Sequence, residues 1–201
     1  MIVNEKIWYN RKNAFMKRLE RDKKTGYFDK ELEGLVKLLN SFNDMFTTSS
    51  CAGRIMIFSS KRPWDKKSIK IYLKSHNFLK TDDVKKAIEK SSDGNLWFVM
   101  QPPIIHVSCL NPERAQELLK IARNVGFKHS GIISFSRKGI HVELQGDEHL
   151  EFPLKVNGRI VIRKHSLNRL VKWANGLLLE SKKKIFKLES VIRRKWLEKG
   201  G

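Results

Sequence analysis

The run Thr47-Thr48-Ser49-Ser50-Cys51-Ala52-Gly53-Arg54-Ile55 concentrates groups that can do chemistry. Its hydroxyls donate and accept hydrogen bonds, Gly53 lets the backbone turn or approach a ligand closely, and Arg54 offers a planar fork for a carboxylate or a phosphate. A ligand-binding turn is one reading of this run; a Ser/Gly turn with a surface arginine is the other. Basic stretches form a second constellation. Lys61, Arg62, Trp64 and Lys66 interleave an aromatic with cations, a combination that suits phosphate contacts plus base stacking. Lys182, Lys183 and Lys184 are expected on the exposed side of a C-terminal helix, where they serve either an RNA or simply a solvated face. In the same helix Trp173 reads as a packing residue.

Elements must position these groups, and hydrophobic spacing places them. Ile7, Ala14, Phe15 and Leu19 recur at helical spacing, and Asp29 reads as the N-cap of a second helix carrying Leu32, Leu35, Val36, Leu38 and Leu39. Met45 and Phe46 before the hydroxyl run, and Ile55, Ile57 and Phe58 after it, are strand-like shoulders. A strand over Ile69 to Leu73, a helix near Asp83 to Lys90 and strands over Leu96 to Met100 and Ile104 to Cys109 follow. Pro112 suits the first turn of a helix that ends at a left-handed Gly126. Ser130 to Ser136 and Ile140 to Leu144 read as a hairpin, and Leu150 to Leu154 and Arg159 to Arg163 as strands joined through Asn157-Gly158. From His165 a helical period continues to near the end, with Gly176 as a candidate break. The plan is α+β: a mixed, largely antiparallel sheet with packed helices and a long C-terminal helix, read as a single domain over residues 1–201 with 165–199 a helical segment.

Composition bounds the partners. With 201 residues, 40% of them apolar, a sizeable core is expected. Against 21 acidic residues stand 41 basic ones, a formal charge of +20, which points to a polyanion such as nucleic acid. No apolar stretch is long enough for a bilayer and the N-terminus lacks an apolar signal core, so a soluble, cytoplasmic protein with no membrane partner is expected. Cys51 and Cys109 lack metal-ligand spacing, so no metal site is expected. Each is read as a small buried apolar residue, with a disulfide left open. No glycine-rich turn follows a first strand, so the scaffold is not of the Rossmann type; the nearest fragment, Ser92-Asp93-Gly94-Asn95, precedes a strand.

The hydroxyl run and its flanks resemble the tRNA wybutosine-synthesising methyltransferase family. The likeness runs from Arg21-Asp22 through Gly26 and Asp29 to Leu38-Leu39-Asn40, then Phe46 to Ile55, His76, and Pro103 to Val107 with His106. It continues through Gly126-Phe127, Ser130-Gly131-Ile132, Glu151-x-Pro153-Leu154 and Ala174-Asn175, so it covers almost the whole chain. The resemblance implies an enzyme that uses S-adenosylmethionine to methylate the N-4 ring nitrogen of a demethylwyosine or wybutosine precursor base, beside the anticodon of tRNA-Phe. No obligate protein partner is implied.

For the cofactor the resemblance implies Ser49, Ser50, Gly53, Arg54, Ser130 and Gly131, with Arg54 on either the methionine carboxylate or a tRNA phosphate. Methyl transfer from a sulfonium is an in-line displacement, so a protein base is needed mainly for the ring-nitrogen proton. His106 and Asp22 lead the candidates because their flanks also match, with His76, Asp29 and Glu151 behind them. The alternative is a noncatalytic RNA-binding protein whose Ser49 to Arg54 loop grips a phosphate.

Overall fold

The structure is a computed structural model and describes residues 3–92 and 94–197, apart from the side chain of Lys66. In chain order the elements are α1 (Glu5–Lys24), α2 (Glu33–Ser41), β1 (Met45–Cys51), β2 (Arg54–Ser59), β3 (Lys70–Ser75), α3 (Thr81–Lys90), β4 (Leu96–Gln101) and β5 (Ile104–Cys109). There follow α4 (Pro112–Asn124), β6 (Gly131–Ser136), β7 (Gly139–Gln145), β8 (Leu150–Val156), β9 (Arg159–Ile160) and α5 (Lys164–Trp196). The chain is α+β, and its strands divide between two sheets in which every pairing is antiparallel. It forms two compact units: Met1–Ala52, Pro103–Asp147 and Lys182–Gly201 make the first, and Gly53–Pro102 with Glu148–Ser181 the second.

The first unit's sheet has the order β1-β5-β7-β6. Side chains alternate across it, so Ile105, Val107, Ile140, Val142 and Leu144 face one way and pack with Leu35, Val36 and Leu39 of α2, Leu118 and Ala122 of α4, and Ile185, Leu188 and Ile192 of α5. The residues between them, His106, Ser108, His141 and Glu143, therefore point to the other face. Trp8 of α1 is fully buried and its Nε1 donates to Ser108 Oγ at 3.2 Å, while its ring meets Phe46 edge-on at 5.0 Å. Trp8, rather than the expected Ile7 and Ala14, anchors α1; Ile7 is 40% exposed. Gly126 has φ +109° after α4, as its position implied.

The second unit's sheet has the order β3-β2-β4-β8-β9. Ile55, Ile57, Leu96, Phe98, Met100 and Leu154 pack with Val84, Ala87 and Ile88 of α3 and with Leu167, Val171, Ala174 and Leu178 of α5. Asn175 explains itself here: its Oδ1 accepts from Leu79 N at 3.0 Å and its Nδ2 donates to Leu79 O at 2.9 Å, locking the segment before α3 to α5. Opposite this core Met56, Phe58 and Val99 form a smaller buried cluster with Trp97 against it.

Some expectations are corrected. Gly176 does not break α5, which runs without interruption from Lys164 to Trp196. Trp173 is 67% exposed, so it is not a core residue. The last strand covers only Arg159–Ile160, not the span to Arg163. Neither cysteine is in a disulfide, and of the two only Cys109 is buried, where desolvation pushes its pKa up to about 12. Among the described residues no helix is long and apolar enough to cross a membrane.

Candidate functional site

The first unit carries a cleft of about 500 Å3 between α1 and β1. Phe15, Arg18, Arg21 and Asp22 supply one wall from α1, Tyr27 and Phe28 follow from the segment after it, and Thr47, Thr48, Ser49 and Ser50 form the other wall. The helix explains the first wall, because positions three and four apart share a face. Asp22 closes the last turn of α1, where Arg18 Nε lies 3.2 Å from its Oδ2 and Tyr27 N donates to its backbone carbonyl at 3.0 Å.

A β-bulge sets up the second wall. Thr47 is paired with Val107, but the register slips at Thr48 so that Ser49 stands opposite His106. Thr47 itself is held in the core by Asn40, whose Oδ1 accepts from Thr47 N at 2.7 Å and whose Nδ2 donates to Thr47 Oγ1 at 3.0 Å. An exposed Ser49 hydroxyl thus lies 2.7 Å from His106 Nδ1. Across the next strand pair His106 is in register with Glu143, and its Nε2 is 2.8 Å from Glu143 Oε2. A carboxylate can only accept, so in the neutral ring Nε2 carries the proton and Nδ1 presents a lone pair to the Ser49 hydroxyl. Ser49, His106 and Glu143 make a polar row across β1, β5 and β7 that ends at the cleft.

Glu143 escaped sequence reasoning. The available signal was the alternation of β7, which puts position 143 on the same face as His141, but nothing in the sequence registers β7 against β5. His141, two residues away on that face, accepts a hydrogen bond from Arg11 Nη1 at 3.2 Å; burial, then Arg11 and His106, hold its pKa below the usual histidine value.

The other candidates fall elsewhere. Asp29 stands at the N-cap position of the 3-10 turn Lys30–Leu32 that leads into α2, but makes no side-chain cap bond; its Oδ2 instead accepts from Ala52 N at 2.8 Å and so braces the end of the hydroxyl run. Ser130 is buried, donating to Phe127 O at 2.7 Å and accepting from Gln145 N at 3.1 Å, so its hydroxyl is already committed, and Gly131 opens β6 beside it, paired with Glu143. Gly53 and Arg54 belong to the second unit, where Gly53 has φ +93° and Arg54 Nε donates to Gln101 Oε1 at 2.7 Å. His76 follows β3, and its Nδ1 donates to Gly53 O at 3.0 Å. Glu151 sits on β8 with its Oε2 3.8 Å from His149 Nε2.

Of the basic residues, Lys61, Arg62 and Trp64 line a cleft of the second unit, whereas the Lys66 side chain lies outside the described residues. Lys183 is exposed, but the exposed-face expectation fails for its neighbours. Lys182 Nζ is 2.5 Å from Glu31 Oε1, and Lys184 Nζ is bonded to Asp147 and donates to Gly126 O at 3.2 Å. These two ammoniums tie α5 to the rest of the first unit.

Curated relatives of this chain are methyltransferases by name. The family model described as Methyltransferase TYW3 matches residues 10–194. The chain is 33% identical over 187 residues to the tRNA(Phe) 7-((3-amino-3-carboxypropyl)-4-demethylwyosine(37)-N(4))-methyltransferase of Saccharolobus solfataricus, covering 92% of this chain and 90% of that one. It is 36% identical over 194 residues to the protein of the same name in Thermococcus sibiricus, covering 96% and 98%. The solved structure of the PH1069 protein from Pyrococcus horikoshii superposes with a TM-score of 0.89 at 34% identity, over 94% of this chain and 97% of that one. Neither relative's name is that of a noncatalytic RNA binder, so the alternative reading of the hydroxyl run is not favoured. On a match that spans nearly its whole length, the chain belongs to the Methyltransferase TYW3 family.

Proposed function

We propose that this chain transfers a methyl group from S-adenosylmethionine to the N-4 ring nitrogen of a demethylwyosine-type base beside the anticodon of tRNA-Phe. The observation that carries this reading is the polar row from the cleft wall, in which Ser49 Oγ is 2.7 Å from His106 Nδ1 and His106 Nε2 is 2.8 Å from Glu143. Family membership and the relatives' names support the substrate class.

The donor set of the cleft fits the cofactor. Phe15, Tyr27 and Phe28 offer aromatic surface for an adenine, Asp22 offers a carboxylate for a ribose diol, and Ser50 with Arg18 or Arg21 offers partners for an amino-acid carboxylate. The volume of about 500 Å3 is that of a small-molecule site. In this assignment Asp22 moves from base to cofactor ligand, and Ser49 faces the acceptor. S-adenosylmethionine supplies an electrophilic methyl on a sulfonium. The chain's own residues manage the proton: Ser49 Oγ accepts it from the ring nitrogen as its own proton passes to His106 Nδ1. Glu143 holds the resulting imidazolium.

Two measurements test this, isothermal titration of S-adenosylmethionine and transfer of labelled methyl to tRNA-Phe bearing the precursor base. Asp22→Ala is expected to weaken cofactor binding, and His106→Ala to lower kcat about 10²–10⁴-fold with cofactor binding intact. No transfer by the native chain with either ligand at saturation overturns the reading, as does full activity of His106→Ala.

A further inference from the structure

The second unit contains a cleft to which the proposed methyl transfer assigns no role. It encloses about 460 Å3 and includes Lys61, Arg62, Trp64, Asn95, Trp97 and Glu151 in its lining. Trp64 is 71% exposed, and the Arg62 guanidinium lies 5.9 Å from its ring centroid. A large indole held in water beside cations has no packing role to explain it.

The cleft is built rather than loose. Trp97 is fixed from behind, its Nε1 donating to Ser60 O at 3.2 Å and its ring packed against Met56, Phe58 and Val99. The loop bearing Trp64 is pinned by Ser60 Oγ donating to Arg62 O at 2.6 Å, Asp65 N donating to Arg62 O at 2.9 Å, and Asn95 Nδ2 donating to Lys61 O at 3.1 Å. Such preorganisation reduces the entropy lost on binding. Asn95 Oδ1 also accepts from Asn157 N at 2.8 Å, so that amide is structural. Glu151 is then the polar group among the aromatic walls that offers two acceptor oxygens, with a side chain 36% exposed.

The chemistry selects a base. An ionised carboxylate only accepts, and it accepts best from two adjacent donors. Guanine presents that pair, N1–H and the 2-amino group, on its Watson–Crick edge. Adenine, cytosine and uracil each place an acceptor next to their donor there. Aromatic side chains stack unpaired bases, and Lys61 and Arg62 suit the flanking phosphates. We propose that this cleft is a guanine subsite for single-stranded RNA: Trp64 and Trp97 supply the stacking surfaces, Glu151 reads the base edge, and Lys61 and Arg62 take the phosphates. The inference rests on the reading that the chain acts on tRNA and adds a recognition element to it.

The test is equilibrium binding of short labelled oligouridylates, each carrying one guanosine, inosine or adenosine, to the full chain. Inosine keeps N1–H but lacks the 2-amino group. The native chain is expected to prefer guanosine over inosine by about tenfold, the scale of one hydrogen bond to a charged group, and over adenosine by more. Glu151→Gln is expected to erase the guanosine preference and to weaken the inosine probe by no more than about fivefold, because N1–H can still donate to the amide oxygen but without charge assistance. Trp64→Ala is expected to weaken all three probes by about fivefold or more, and Trp64→Phe to restore most of that. Equal binding of guanosine and inosine by the native chain overturns the subsite, and so does a preference that survives in Glu151→Gln. Methyl transfer and cofactor titration on the same preparations separate the two ideas: transfer without base preference removes the subsite alone, and base preference without transfer removes the enzymatic reading alone.

Discussion

At the residue scale, the row Ser49, His106 and Glu143 depends on one hydrogen bond choosing the tautomer of one ring. Glu143→Gln keeps the shape but puts an amide that both donates and accepts against Nε2, so the lone pair no longer faces Ser49 in every molecule. The expected outcome is a kcat lowered by about tenfold or more, with KM and cofactor affinity unchanged, read from steady-state methyl transfer beside a titration. His141 makes a separate prediction. Its pKa is lowered by burial first, and Arg11 donates to its Nε2, so the folded state holds it neutral. A histidine whose folded pKa lies below its unfolded value takes up its proton more readily when unfolded, so stability falls as pH drops below about 6.5 towards the folded value and is flat above it. His141→Gln is expected to flatten that acid-side loss, as measured by urea unfolding across the range.

At the element scale, secondary structure is set by local rules and its corrections by tertiary ones. The glycine in mid-α5 looked like a break, but the apolar stripe of α5 is buried on both sides of it: Val171, Ala174 and Leu178 in one core, Ile185, Leu188 and Ile192 in the other. Burial of that stripe outweighs the ~1 kcal/mol that glycine costs in a helix interior. A Cβ at Gly176 would meet nothing within 4 Å, so Gly176→Ala is expected to stabilise the protein by about 0.5–1 kcal/mol in denaturant unfolding. Gly139 is the opposite case. Its φ is +129° and a Cβ there would come within 2.5 Å of Ser108 Oγ and 2.9 Å of Trp8 Cδ1, the contact that anchors α1. Substitution there would strain the turn and crowd that anchor together.

On the scale of the whole molecule, charge and core division matter most. Each unit has its own apolar core, so each has the means to hold its cleft in shape. With a formal charge of +20, the proposed RNA binding is expected to weaken steeply with salt. Lys61→Ala is expected to reduce the slope of log affinity against log salt by about one, because one phosphate contact is lost, with cofactor affinity untouched. Lys182→Ala is expected to act on stability instead, since its ammonium is bound to Glu31 rather than presented to a ligand.

Periodicity, turn chemistry and composition determined the α+β class, the strand shoulders of the hydroxyl run, the left-handed Gly126, the apolar face of α2 and the excess of positive charge. These are local or additive properties, readable from spacing and composition. Only the tertiary structure decided which residues meet. The bulge at Thr48 aligned Ser49 with His106, the register of β5 on β7 brought in Glu143, and the fold drew Asp29, Lys182 and Lys184 into internal bonds while leaving Trp173 in solvent. Strand register is a long-range property: a slip of one residue turns every side chain to the opposite face, and the sequence of a single strand carries no record of its partner.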